Sequence, residues 1–244
     1  MKMISVVFLL FVGLRVSSAN FLNDCNPGKC LNLSPFEELR EVRFLPNKEE
    51  LQRICPGVSK FIDCEFDNVK DCNGIGIEEL AMSSNATIAA FTSMFLNIAS
   101  LSADLCDENT LIHQEYIEHL DCLREFFTKT CGMECFKESR KLARGFYDSL
   151  SVSEDDVDSE QFTSCVTVPL EIACAAHRLQ KRCGQLTRST FVNIIRRMQH
   201  LVHPDCKAED FGALKSAFFE YAKLDDEQQE AYRSVLDVLL KRRR

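Results

Sequence analysis

The chain of 244 residues has no tryptophan, no excess of basic residues and no Cys-x2-Cys pair. It also lacks a G-x-S-x-G elbow, an H-E-x-x-H helix, a P-loop and a dinucleotide-binding glycine fingerprint, so no motif points to an enzyme. Structural zinc does not fit either, because the Cys-x3-Cys at Cys131 and Cys135 stands alone. The formal charge of −8 argues against nucleic acid, or an anionic membrane, as partner of the whole surface. No stretch shows the alternation of apolar and polar residues that marks a half-buried strand. No cofactor, metal or catalytic residue is expected.

What is present is apolar mass and cysteine. Hydrophobic residues make up 45% of the chain, with 18 phenylalanines, which excludes intrinsic disorder. The length allows one sizeable core or two small ones. Thirteen cysteines mean metal or redox chemistry inside a cell and disulfides outside it, so the compartment decides their reading. Lys2, the apolar run Ile4 to Leu14 and the small residues Ser17-Ser18-Ala19 form a signal-peptide pattern, interrupted at Arg15 before it is long enough to span a bilayer. Residues 1–19 are therefore expected to be a leader and the protein to be secreted. Cleavage after Ala19 removes Lys2 and Arg15 and takes the charge from −8 to −10. Asn32-Leu33-Ser34 and Asn85-Ala86-Thr87 are sequons for an exported chain, Asn85 being the better candidate because Pro35 follows the first.

Helix signals dominate the rest, and the expected fold is all-α. Ser34-Pro35-Phe36-Glu37 reads as a capping box with proline at the first helical position, and Asn47 with Glu50 repeats the arrangement. Ile112, Tyr116, Leu120, Leu123 and Phe127 recur at the spacing of a half-buried helix. Phe191, Ile194, Ile195, Met198, Leu201 and Val202 do the same, and Phe211, Leu214, Phe218 and Tyr221 begin another helix. Tyr232, Val235, Leu236, Leu239 and Leu240 make the last. Met82 to Ala103 carries no charge; its nine Ser, Thr and Asn residues make it too polar for a membrane anchor, so it reads as a central, nearly enclosed helix. The alternative is a helix lining a cavity for an apolar ligand, with Phe91, Phe95 and Ile98 as the lining. The acidic stretch from Ser149 to Gln161 is a solvated linker or helix start, and Asp155, Asp156 and Asp158 lack the glycine and terminal glutamate of a calcium loop.

The cysteines are Cys25, Cys30, Cys55, Cys64, Cys72, Cys106, Cys122, Cys131, Cys135, Cys165, Cys174, Cys183 and Cys206. Cys55-x8-Cys64-x7-Cys72 recurs as Cys165-x8-Cys174-x8-Cys183, with Cys122-x8-Cys131 between them, and the runs end beside Gly74, Gly132 and Gly184. A glycine there suits a left-handed helix end. Nine residues of helix turn through about 900° and rise ~13 Å, so two cysteines at that spacing face opposite ways, beyond bonding distance. Each must staple its helix to a different neighbour. The expected organisation is a disulfide-stapled array: residues 20–206 as a cysteine-rich domain of three hairpin-like units, and 207–244 as a helix pair with a basic tail, Lys241 to Arg244. An odd count leaves one thiol free, bridged to another chain, or paired with an unrelated molecule; Cys25, Cys30 and Cys206 lie nearest the edges of the pattern. His200 and His203, with Asp205, sit one turn apart at a helix end but lack a third ligand. His113, His119 and His177 read as surface or packing residues.

The run Cys165-x8-Cys174-x8-Cys183, leading into the Phe191–Val202 helix closed by Cys206, resembles the insect 27 kDa haemolymph glycoprotein-like family. Leu51 to Cys72, where Cys55 and Cys64 frame a short helix, extends the resemblance to about half the chain. The nematode secreted proteins of domain of unknown function 19 are similar in style. Neither family brings a catalytic residue; both imply an exported, disulfide-bonded helical protein. The spacing from Cys106 through Cys131, Cys135, Cys165 and Cys174 to Cys183 is also similar to that of insect odorant-binding proteins, which implies a carrier of small apolar molecules. The leading expectation is a secreted, non-enzymatic binding or structural protein with an unidentified extracellular partner, and the alternative is the carrier.

Overall fold

Among the residues described by a computed structural model of the chain (28–42, 45–130, 132–150, 166–198 and 208–240), every regular element is a helix. A short 3-10 turn, Leu31–Leu33, precedes α1 (Phe36–Glu41), α2 (Lys48–Asn73), α3 (Ile77–Leu80), α4 (Ala86–Cys106) and α5 (Leu111–Glu125). A π-helical turn, Phe126–Thr130, then leads to α6 (Gly132–Ser149), followed by α7 (Val168–Cys183), α8 (Gln185–Arg197), α9 (Ala208–Ala222) and α10 (Asp226–Leu240). The fold is all-α and disulfide-stapled. Two compact units divide it, one running to Asp121 and the other from Cys122 onward, with the division inside α5.

In the first unit α2 is the long element. Asn47 opens it with a reciprocal capping box: the Glu50 amide donates to Asn47 Oδ1 at 2.8 Å, and the Asn47 amide donates to Glu50 Oε2 at 2.7 Å. Leu51, Ile54, Val58 and Phe61 are buried at helical spacing and give α2 one apolar face. Val42 with Leu39 packs on its first half, beside Ile54, Val58 and Ile62. Its second half supplies Val69 and Phe66 to a cluster completed by Ile77, Leu80 and Phe95. Gly74 ends the helix at φ 72°, in the left-handed region, with its amide donating to the Lys70 carbonyl. Pro56 and Gly57 lie inside this helix. Proline there removes one helical hydrogen bond and costs ~3 kcal/mol, and glycine ~1 kcal/mol, relative to alanine. The chain nevertheless stays helical from Lys48 to Asn73, so the short helix expected between Cys55 and Cys64 is part of a longer rod.

The second unit is built around α7. Pro169 to His177 are all buried, as is Leu179, so α7 is covered on nearly every side; α6, α8 and α10 pack against it. Each of Leu170, Ile172 and Leu179 contributes roughly 1.5–3 kcal/mol by this burial. Gly184, at φ 89°, closes α7 and opens α8 without an intervening loop. A second aromatic layer forms where Phe146 of α6, only 1% exposed, meets Phe218 edge-on at 5.5 Å and Tyr221 at 5.7 Å. Phe191, Ile195 and Met198 are buried as their spacing implies, as are Phe218, Tyr232, Val235 and Leu236. Leu201 and Val202 lie outside the described residues, and so do the side chains of Phe211, Leu214, Leu239 and Leu240.

Three local expectations are corrected. Ser34 does not cap α1: the N-cap is Pro35, without a side-chain bond, while the Ser34 amide closes the preceding 3-10 turn on Leu31 O and Glu37 pairs with Arg40. Gly132 opens α6 instead of ending a helix. Phe126 replaces Phe127 in the core; Phe127 is half-buried against Phe191 at 5.6 Å, at the π turn where the helical register shifts.

The weak Pro56-Gly57 step sits directly after a disulfide at Cys55, which ties it to Cys106. Replacing Cys55 and Cys106 by alanine is expected to lower stability by about 2–4 kcal/mol. Amide exchange should accelerate more over residues 48–58 than over 61–73; uniform acceleration along α2 would show that the bridge does not hold this step.

Candidate functional site

The cysteines are the most organised chemical group in the chain. Nine lie among the described residues, and all nine are disulfide-bonded. Cys55 of α2 joins Cys106, the last residue of α4, and Cys64 of the same helix joins Cys30, just before the 3-10 turn. In α7, Cys174 joins Cys135 of α6 and Cys183 joins Cys122 of α5. Cα separations of 5.6–5.9 Å are ordinary for disulfides. In each helix the two cysteines nine residues apart reach different elements, as helical rotation requires. Cys72 is also bonded, and Cys30 is removed from the candidates for the odd thiol. Cys25, Cys131, Cys165 and Cys206 lie outside the described residues. With nine of thirteen cysteines bonded, the odd one belongs to these four.

Oxidised sulfur is no nucleophile, so none of the nine can do thiolate chemistry. The buried polar side chains of the first unit are likewise spent on structure. His113 Nδ1 donates to the Leu105 carbonyl at 2.7 Å, which requires the Nδ1–H tautomer. Tyr116 Oη donates to the Pro46 carbonyl at 2.8 Å, tying α5 to the start of α2 across 70 residues. Glu108 pairs with Lys48 at 2.8 Å and accepts from Gln52 at 2.7 Å; these bonds hold its carboxyl below the usual range. His119 is half-exposed.

The second unit holds its polar groups along α7. Arg178 forks between Glu134 and Glu138 of α6 at 2.6 and 2.5 Å, one turn beyond the Cys135–Cys174 bridge. Lys181 reaches Glu227 at 3.4 Å and Arg182 reaches Glu125 at 2.9 Å. His177 is 5% exposed, and its Nδ1 has no hydrogen-bond partner. Burial, then the nearby Lys181, pushes its pKa below the ordinary histidine value, against the opposing pull of Glu227 and Asp225. Glu171 and Ser139 are buried as well. Sequence inspection did not single out Glu171, although a carboxylate inside the apolar run Leu170 to Ala176 was the available signal. Among the described residues, no group of three or more His, Cys, Asp or Glu is arranged to hold a metal. His200, His203 and Asp205 lie outside them, as do Asp155, Asp156, Asp158 and the tail from Lys241.

Phe91, Phe95 and Ile98 all fall on α4. Phe95 and Ile98 are buried and Phe91 is half-buried. Phe95 packs with Val69, Ile77 and Leu80, and its ring lies 5.6 Å from that of Phe66. The expectation that α4 is nearly enclosed is corrected: it buries one stripe, Thr92, Met94, Phe95, Ile98 and Leu101, and Ala86, Thr87, Ala90, Ser100 and Ala103 are exposed. Its length and mean hydropathy of 1.4 would suit a bilayer, and among the described helices it alone meets both measures. Asn85 is exposed and caps α4, and Asn32 is exposed within the 3-10 turn. No protein-family model, curated protein or solved structure matches the chain.

His177 gives the second unit a pH dependence. The fold favours the neutral ring, whereas an unfolded histidine takes a proton near pH 6.5. The unfolded state therefore binds more protons below that value, and stability falls as pH falls. His177→Leu should remove this contribution, so that the melting-temperature gap between wild type and variant moves in the variant's favour from pH 7.5 to pH 5. Parallel profiles would contradict the assignment.

Proposed function

We propose that this chain is an exported, non-enzymatic extracellular protein of binding or structural type, directed outward by residues 1–19 and active after cleavage at Ala19. The observation that carries this reading is the set of four bridges whose two cysteines both lie among the described residues, each joining segments 34 to 61 residues apart. Crosslinks of that span persist in an oxidising compartment and are reduced in a cytosol. The sequons at Asn85 and Asn32 and the cysteine-spacing similarity to invertebrate secreted helical proteins belong to the same proposal. The non-enzymatic part is supported by the absence of a catalytic motif in the sequence and by the employment of His113 and Tyr116 on backbone carbonyls.

A carrier of small apolar molecules is the second reading, favoured by a half-buried Phe91 on a helix that carries no charge before Asp104. The packing of Phe95 against Val69, Ile77 and Leu80 counts against it, since that ring already has protein partners. A fluorescent apolar probe taken up saturably and displaced by lipid extracts would move the reading to the carrier.

Expression of the full chain in cells with a secretory route tests export. The product is expected in the medium, beginning at Asn20 and unreactive to thiol reagents at the nine bonded cysteines. Accumulation inside the cell with Met1 to Ala19 still attached would overturn the proposal.

A further inference from the structure

We propose that Asn85 carries an N-linked oligosaccharide while the same side-chain amide goes on capping α4, an inference that rests on the export reading. Asn85, Ala86 and Thr87 are all exposed, so the whole acceptor triplet lies on the surface. Asn85 Oδ1 accepts from the Thr87 amide at 3.1 Å and the Ile88 amide at 3.3 Å, and the Asn85 backbone amide donates to Ser83 Oγ at 3.1 Å. These bonds fix the amide with its oxygen toward the helix and leave Nδ2 to solvent. Glycosylation takes place at Nδ2: a bond forms from sugar C1 to nitrogen, the C1–O bond to a lipid-linked diphosphate breaks, the diphosphate leaves with the electron pair, and Nδ2 loses one proton. The carbonyl oxygen is untouched, so cap and sugar use opposite ends of one amide.

The surroundings explain what the sugar does there. Met82 is 78% exposed, and Ala86 and Ala90 are exposed on the first turns of α4. No charge occurs between Met82 and Ala103 to keep this surface solvated. A polar oligosaccharide rooted at Asn85 supplies that hydration to a helix whose composition would otherwise favour association. Asn32 offers no comparable setting: it lies in a 3-10 turn whose sequon runs directly into the buried Pro35.

Three substitutions separate sugar from cap. Thr87→Ala destroys the acceptor signal but keeps the backbone amide that Asn85 caps; Asn85→Asp removes the acceptor nitrogen but keeps a capping oxygen; Asn85→Gln abolishes the acceptor site and sets the amide one carbon further out, a poor cap. From medium of expressing eukaryotic cells, wild type should lose mass on treatment with a peptide N-glycosidase, with an aspartate left at position 85. All three variants should show no glycan at position 85. Thr87→Ala and Asn85→Asp should melt with deglycosylated wild type, and Asn85→Gln should melt lower. Exported wild type with unmodified Asn85, or sugar retained in Thr87→Ala, would overturn the proposal alone. Retention in the cell with the leader uncleaved would overturn the export reading and the sugar with it.

Discussion

Two side chains nine residues apart on an α-helix point in opposite directions, and this constraint organises both units of the protein. A cysteine pair at that spacing cannot close on itself, so it turns its helix into a spine held from two sides. Cys55 and Cys64 do this in α2, and Cys174 and Cys183 do it in α7. Their partners come from elements distant in sequence, so each bridge restricts a large part of the unfolded chain.

The two spines use the constraint differently. In α2 it compensates a weak sequence: Cys55 precedes Pro56-Gly57, where propensity alone would end the helix. In α7 the bridges add to packing that is already extensive, since Leu170, Ile172, Ala173, Ala175, Ala176 and Leu179 are almost entirely buried. The ion pairs of Arg178, Lys181 and Arg182 follow the same helix outward, and with carboxylate partners that are exposed they contribute little beyond orientation.

Much of this was legible in the residues. The all-α class follows from periodicity, the Asn47–Glu50 box and the Gly74 end from local chemistry, and the opposite-facing cysteines from helix geometry. What was not legible depends on tertiary partners. Ser34 has the same local pattern as Asn47, yet it closes a 3-10 turn. The choice of Phe126 over Phe127 depends on a π turn that the spacing does not announce. Gly145 leaves room for the Tyr221 hydroxyl, a contact between α6 and α9 that no local window contains. The stretch Met82 to Ala103 looked like an enclosed core helix because it lacks charge, but absence of charge does not report how many neighbours a helix has; in α4 one stripe is buried and other positions are exposed. For the candidate site, the sequons and cysteines were readable as residues, whereas the pairing partners and the unpartnered Nδ1 of His177 were not.

Proteolysis of the unreduced protein, followed by mass spectrometry of the linked peptides, tests the central claim most directly. The account predicts the pairs Cys30–Cys64, Cys55–Cys106, Cys122–Cys183 and Cys135–Cys174, with unpaired thiol confined to Cys25, Cys131, Cys165 or Cys206. A bridge joining Cys55 to Cys64 or Cys174 to Cys183, or free thiol at any of these four, would contradict it.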